Sequence, residues 1–99
     1  MKVSIIRGGG LAGVATRTQL ATDALPKEAC ERLCELASAV TPADEAAARH
    51  PDETLYKVDV DGVIATHTET TLPEPVRALI DFVSERPERE DALELPRRR

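Results

Sequence analysis

The segment from Leu55 to Thr68 constrains the fold most. Two alternating, β-branched runs, Leu55-Tyr56-Lys57-Val58-Asp59-Val60 and Val63-Ile64-Ala65-Thr66-His67-Thr68, are separated by Asp61-Gly62, a pair that tolerates the positive φ values of a two-residue turn. The segment therefore reads as a hairpin. Its turn sets Val60 opposite Val63, Val58 opposite Ala65 and Tyr56 opposite His67, which gives one coherent apolar face. His67 is then a strand residue, not a catalytic one. A half-apolar hairpin has to be covered, and the rest of the chain supplies the partners.

Upstream, Val3-Ser4-Ile5-Ile6 begins a strand over residues 2–7, which the Gly8-Gly9-Gly10 run stops. Val14 to Leu20 alternates, with Val14, Thr16, Thr18 and Leu20 on one face, and reads as a second strand. Pro26 suits the first turn of a helix over 26–40, whose stripe is Ala29, Cys30, Leu33, Cys34, Leu36, Ala37 and Val40. Thr41-Pro42-Ala43-Asp44 resembles a cap and predicts a short surface helix over 42–49. Leu72-Pro73-Glu74-Pro75 opens a last helix over 74–85, with Val76, Leu79, Ile80 and Val83 on its stripe and Phe82 at the edge. Beyond Arg86-Pro87 charges alternate without an apolar period, and residues 86–99 are expected to form a disordered charged tail. The order β-β-α-β-β-α predicts a single α+β domain over 1–85: a four-stranded antiparallel sheet with two helices packed on one face.

Composition bounds the function. A chain of 99 residues has room for one domain, and with one Phe, one Tyr and no Trp its core is aliphatic and its stability modest. Residues 1–84 hold 8 basic and 13 acidic side chains, so the net charge of −5 lies there, while 85–99 hold 5 of each. An acidic body argues against nucleic acid, which needs a basic face, and Arg97-Arg98-Arg99 reads as a solvated chain end. Met1-Lys2 leads straight into a strand-like run and no apolar stretch approaches the ~20 residues of a membrane span, so neither a signal peptide nor a membrane contact is expected.

Cys30 and Cys34 stand four apart on a helical pattern and read as two small core residues with free thiols, which fits a reducing, cytoplasmic setting. No metal is expected, because His50 and His67 stand in no ligand spacing to each other or to the cysteines. Asp44-Glu45 and the Asp59/Asp61 pair lack the loop glycine and closing Glu of a calcium site. With no His-Glu-x-x-His, Gly-x-Ser-x-Gly or P-loop lysine, the chain reads as a non-enzyme without a cofactor.

Arg7-Gly8-Gly9-Gly10-Leu11-Ala12-Gly13 is the most unusual stretch, and it admits three readings. Gly8, Gly10 and Gly13 satisfy the G-x-G-x-x-G of dinucleotide-binding domains, but that motif needs a helix to start inside it, and residues 14–20 have the period of a strand. Alternatively the glycines are a structural connection that lets one strand turn back on the next. The third reading is resemblance. Met1-Lys2-Val3, then Arg7-x-Gly9-Gly10-Leu11-Ala12-Gly13-Val14, the Thr-rich strand ending in Asp23-Ala24-Leu25-Pro26, Tyr56-x-Val58, Asp61-Gly62, Leu72-Pro73 and Val76-Arg77-Ala78-Leu79-Ile80-Asp81-Phe82 together resemble the emfourin family of protealysin inhibitors over residues 1–84. Gly8 departs from the small polar residue usual there, and 41–54 follow the family pattern loosely.

That resemblance implies a cytoplasmic inhibitor of thermolysin-like zinc metallopeptidases, monomeric when free, with a protealysin-like peptidase as partner. Thermolysin-like sites favour a bulky aliphatic residue just after the scissile bond, and Leu11 between Gly10 and Ala12 is one anchor on a slim chain. The expected protease-binding loop is therefore Arg7, Gly8, Gly9, Gly10, Leu11, Ala12 and Gly13, with Met1, Lys2 and Val3 as an additional contact if the cleft is long. The reading from another class is a non-catalytic interaction or regulatory module in which the glycine segment is only structural.

Overall fold

The computed structural model describes residues 1–9, 15–45, 47 and 53–94. β1 (Lys2–Gly9) lies between β2 (Ala15–Ala21) and β4 (Thr54–Val60) and is antiparallel to both. β4 continues through Asp61-Gly62 into β5 (Val63–Thr68), in the register expected from the turn: Val60↔Val63, Val58↔Ala65 and Tyr56↔His67. Asp61 and Gly62 have φ of 50° and 93°, the positive values that make Asp-Gly the fitting pair. The Gly62 amide donates to Asp59 Oδ1 at 2.8 Å, and the Lys2 amide donates to Asp61 Oδ1 at 3.0 Å, which ties the turn to the start of β1.

Alternation along these strands sends Val3, Ile5, Leu20, Val58 and Ala65 to one face, where all are buried. Helix α1 (Lys27–Ala37) covers that face with Ala29, Leu33 and Ala37, and α2 (Glu74–Glu85) covers it with Val76, Leu79, Ile80 and Val83. One aliphatic cluster results, closed by Val40 and edged by Met1, Leu36, Tyr56 and Phe82. Both helices thus pack on the same side, as expected. On the opposite face Ser4, Ile6, Gln19 and Asp59 are half-buried and Lys57 and Ile64 exposed. Among the described residues no helix is long and apolar enough to cross a membrane.

The sheet is larger than the expected four antiparallel strands: with β3 (Ala43–Asp44) and β6 (Glu90–Glu94) it is six-stranded and mixed, in the order β3-β5-β4-β1-β2-β6. β3 (Ala43–Asp44) runs parallel to β5, where a surface helix over 42–49 is expected. The edge of β5 offers backbone partners, and Glu45 takes one by donating its amide to the Thr66 carbonyl at 2.8 Å. Residues 46, 48 and 49 of that expected helix lie outside the described residues. β6 (Glu90–Glu94) pairs antiparallel with β2, so part of the segment expected to be a disordered tail is the sixth strand. Arg86, in a two-point contact with Glu88 at 2.9 and 2.8 Å, Arg89 donating to the Arg86 carbonyl at 2.8 Å and Thr18 donating to Asp91 at 2.8 Å shape and fasten that return.

α1 is shorter than the expected 26–40. Pro26 is its N-cap in extended conformation (φ −61°, ψ 159°), and a turn at Ser38 follows it, with Ser38 Oγ donating to the Glu35 carbonyl at 2.7 Å. The cysteines are free, but they are not the core residues expected: Cys30 is half-buried and Cys34 exposed. Each follows a buried residue, Ala29 or Leu33, and is turned about 100° away from the sheet. α2 spans the expected residues, with Pro73 as its N-cap.

His67 is buried on the helix side of β5, where its Nδ1 contacts Glu45 Oε1. That contact and a hydrogen bond from Thr71 hold the Glu45 carboxyl below its ordinary pKa of 4.5. Its contribution is therefore complete above the unfolded pKa and is lost as pH falls through the lower folded one. We expect Glu45→Gln to flatten the acid limb of the thermal midpoint below pH 4.5, as read by circular dichroism. Leu33, fully buried between helix and sheet, is expected to cost about 2–5 kcal/mol on Leu33→Ala, measured by urea unfolding.

Candidate functional site

The glycine-rich segment begins in β1, one of the two central strands of the sheet. Gly8 is paired with Ala15 of β2 and Gly9 with Thr54 of β4, so β1 is hydrogen-bonded on both edges up to the point of departure. Of the seven residues expected to form the loop, Arg7, Gly8 and Gly9 belong to β1, while Gly10, Leu11, Ala12 and Gly13 lie outside the described residues. Arg7 is exposed on the helix side of the sheet, its guanidinium carbon 5.5 Å from the centroid of the Tyr56 ring. Tyr56 is half-buried against the core, so this cation–π contact rests the base of the segment on a fixed surface.

The neighbouring strand end is clamped by polar groups. Glu53, 8% exposed, precedes β4, and its Oε2 accepts from the Thr70 amide at 2.7 Å and the Thr70 hydroxyl at 2.5 Å. Thr68, fully buried, bonds the Thr71 hydroxyl at 2.9 Å and accepts the Thr71 amide at 3.1 Å. The Glu69 amide donates to the Thr54 carbonyl at 3.0 Å, which joins this turn to the strand paired with Gly9. A carboxylate that is nearly buried and meets two donors stiffens what it joins. Here it joins β4 to the 68–71 turn, beside the stem of the glycine segment.

Met1, Lys2 and Val3 stand at the other end of β1, roughly 17 Å from Arg7 along the strand. Val3 is fully buried and presents nothing to a partner, and Met1 packs partly into the core while its amino group donates to Thr22 Oγ1 at 3.1 Å. Lys2 is exposed. The structure thus separates these residues from Arg7. The dinucleotide reading fails on topology: after the glycine segment comes β2, antiparallel to β1, and not the helix whose N-terminus would hold a pyrophosphate. Among the described residues no group of three or more His, Cys, Asp or Glu could hold a metal ion.

Sequence reasoning does not single out Tyr56, Glu53 or Leu93 for this end of the sheet. The partnership of Arg7 with Tyr56 follows from register once β1 and β4 are neighbours, but no local signal announces that neighbourhood. Leu93, 63% exposed on β6, pairs with Thr16 and lines an open depression with Arg7, Thr16, Thr18, Asp91 and Ala92.

Neither a curated protein nor a solved structure matches the chain. A family model does, that of Emfourin, over residues 5–84, which takes in β1 from Ile5, β2, α1, the hairpin and α2 as far as Ser84 and leaves out β6. The chain belongs to the Emfourin family, a family of protease inhibitors.

Proposed function

We propose that this protein inhibits a thermolysin-like zinc metallopeptidase by laying residues 7–13 across its active-site cleft. Membership of an inhibitor family over 5–84 is the observation that carries this reading. The mechanism follows from the stem. A cleft-blocking segment has to arrive nearly ordered, since each immobilised side chain or loop residue otherwise subtracts from affinity. β1, paired on both edges to Gly8 and Gly9, holds one end of the segment, and β2 holds the other from Ala15. Leu11 then fills the pocket that receives the residue after the scissile bond, while the slim Gly9, Gly10, Ala12 and Gly13 let the backbone approach the cleft walls. Arg7, over Tyr56, sets the direction of the segment. The free protein acts as a monomer in the cytoplasm, where its two free thiols stay reduced.

Titration of the protein into a thermolysin-like peptidase from the same cell, with a small fluorogenic peptide as substrate after preincubation, is expected to give stoichiometric loss of activity. Full activity at large excess would leave a binding module for another partner. Leu11→Gly is expected to weaken inhibition by about 2 kcal/mol or more, roughly thirtyfold in Ki, with the thermal midpoint unchanged. A fall in the midpoint with unchanged inhibition would make Leu11 a core residue and overturn the mechanism.

A further inference from the structure

β6 lies beyond the residues that the family model matches, yet it pairs with β2, the second stem strand of the glycine segment. Register places its outward apolar residue with care: Arg7 pairs with Thr16, and Thr16 with Leu93, in one row across three strands on the helix side of the sheet. The next pair along, Gly8 with Ala15, is the last described pair of these two strands before the rest of the glycine-rich segment. Leu93 is the most exposed large aliphatic among the described residues, at 63%, and it forms one wall of the depression whose other wall is Arg7. Asp91 in the same depression is already engaged, by the Thr18 hydroxyl at 2.8 Å and by Arg89 at 3.1 Å, so the surface offered is an apolar side chain beside a guanidinium.

We propose that β6 is a second contact for the peptidase: Leu93 and Arg7 receive, on the rim of the cleft, an apolar side chain flanked by a carboxylate. The inference rests on the inhibitor reading, because it is the insertion of residues 7–13 into a cleft that would bring this depression against the adjoining rim. An aliphatic side chain covered there is removed from water, and Arg7, held on Tyr56, meets the carboxylate without being reoriented. The role of β6 is then to select among peptidases whose clefts are alike but whose rims differ.

The test measures Ki against the cognate peptidase for the wild type, Leu93→Asp, Leu93→Ser, Leu11→Gly and Ile64→Asp, with thermal midpoints for all. Ile64 is a control, an aliphatic residue 40% exposed on the opposite sheet face. We expect Leu93→Asp to raise Ki at least tenfold and Leu93→Ser severalfold, at unchanged midpoints, with Ile64→Asp within twofold of wild type. If both Leu93 variants inhibit within twofold of wild type while Leu11→Gly does not, the β6 contact is overturned and the loop mechanism stands. If Ile64→Asp weakens inhibition as much as Leu93→Asp, the effect is general charge repulsion and the contact is likewise overturned. A wild type that leaves the peptidase fully active overturns both readings.

Discussion

Strand β1 is hydrogen-bonded along both edges, to β2 from Lys2 to Gly8 and to β4 from Val3 to Gly9, and the rest of the molecule is arranged around that double pairing. Its inward side chains, Val3 and Ile5, are 0% and 2% exposed and form the floor on which both helices sit. Because β1 is central, its pairing brings the first ββ unit and the second into one sheet, and without it the sheet would divide into β1-β2-β6 and β4-β5-β3, each with only part of the apolar floor. In an aliphatic core with a single Phe and a single Tyr, this backbone ladder has more to do than in a larger domain.

Around the ladder, polar groups are spent at strand ends and not in the core. Asp61 and Asp59 fix the hairpin turn and the start of β1; Glu53 and the threonines 68, 70 and 71 fix the other end of β4 and β5; Glu45 and His67 hold the short β3 against β5. Hydrogen bonds of this kind are worth little when exposed, but a half-buried carboxylate with several donors is costly to leave unsatisfied, which pins the geometry it serves. Two of these clusters lie at the end of the sheet from which the glycine segment departs.

How much of this was legible in the sequence depends on the kind of signal each element carries. The hairpin register was readable to the residue, because Asp61-Gly62 dictates the turn and a period of two does the rest. α2 was readable because its stripe and its prolines agree. β6 was not, since Glu90-Asp91-Ala92-Leu93-Glu94 has no apolar alternation: an edge strand draws its stability from one ladder and from side-chain ties such as Thr18 to Asp91, and charge on an edge is normal. β3 was hidden for a related reason, being two residues long and defined by the free edge of β5. The cysteines misled because their spacing matches the core stripe, while the buried ridge of α1 is narrower and runs through Ala29, Leu33 and Ala37. At the candidate site, the composition of the glycine segment marked it out, but the support of Arg7 by Tyr56 is a product of register between strands about fifty residues apart, which no local pattern encodes.

Under the proposed mechanism, a segment that blocks a peptidase has to meet opposed demands: enough freedom of backbone to follow the cleft, and enough order to avoid losing its binding energy to entropy. Glycines satisfy the first at a conformational cost that grows with each one added. The second is met outside the segment. Closing a short segment between two strands already in register removes most of the loop entropy before the partner arrives. β1 is braced by β4 on one side, and β2, which would otherwise be the free edge, is braced by β6 on the other. The sixth strand therefore completes the stem: with it in place, neither strand carrying the glycine segment is an edge.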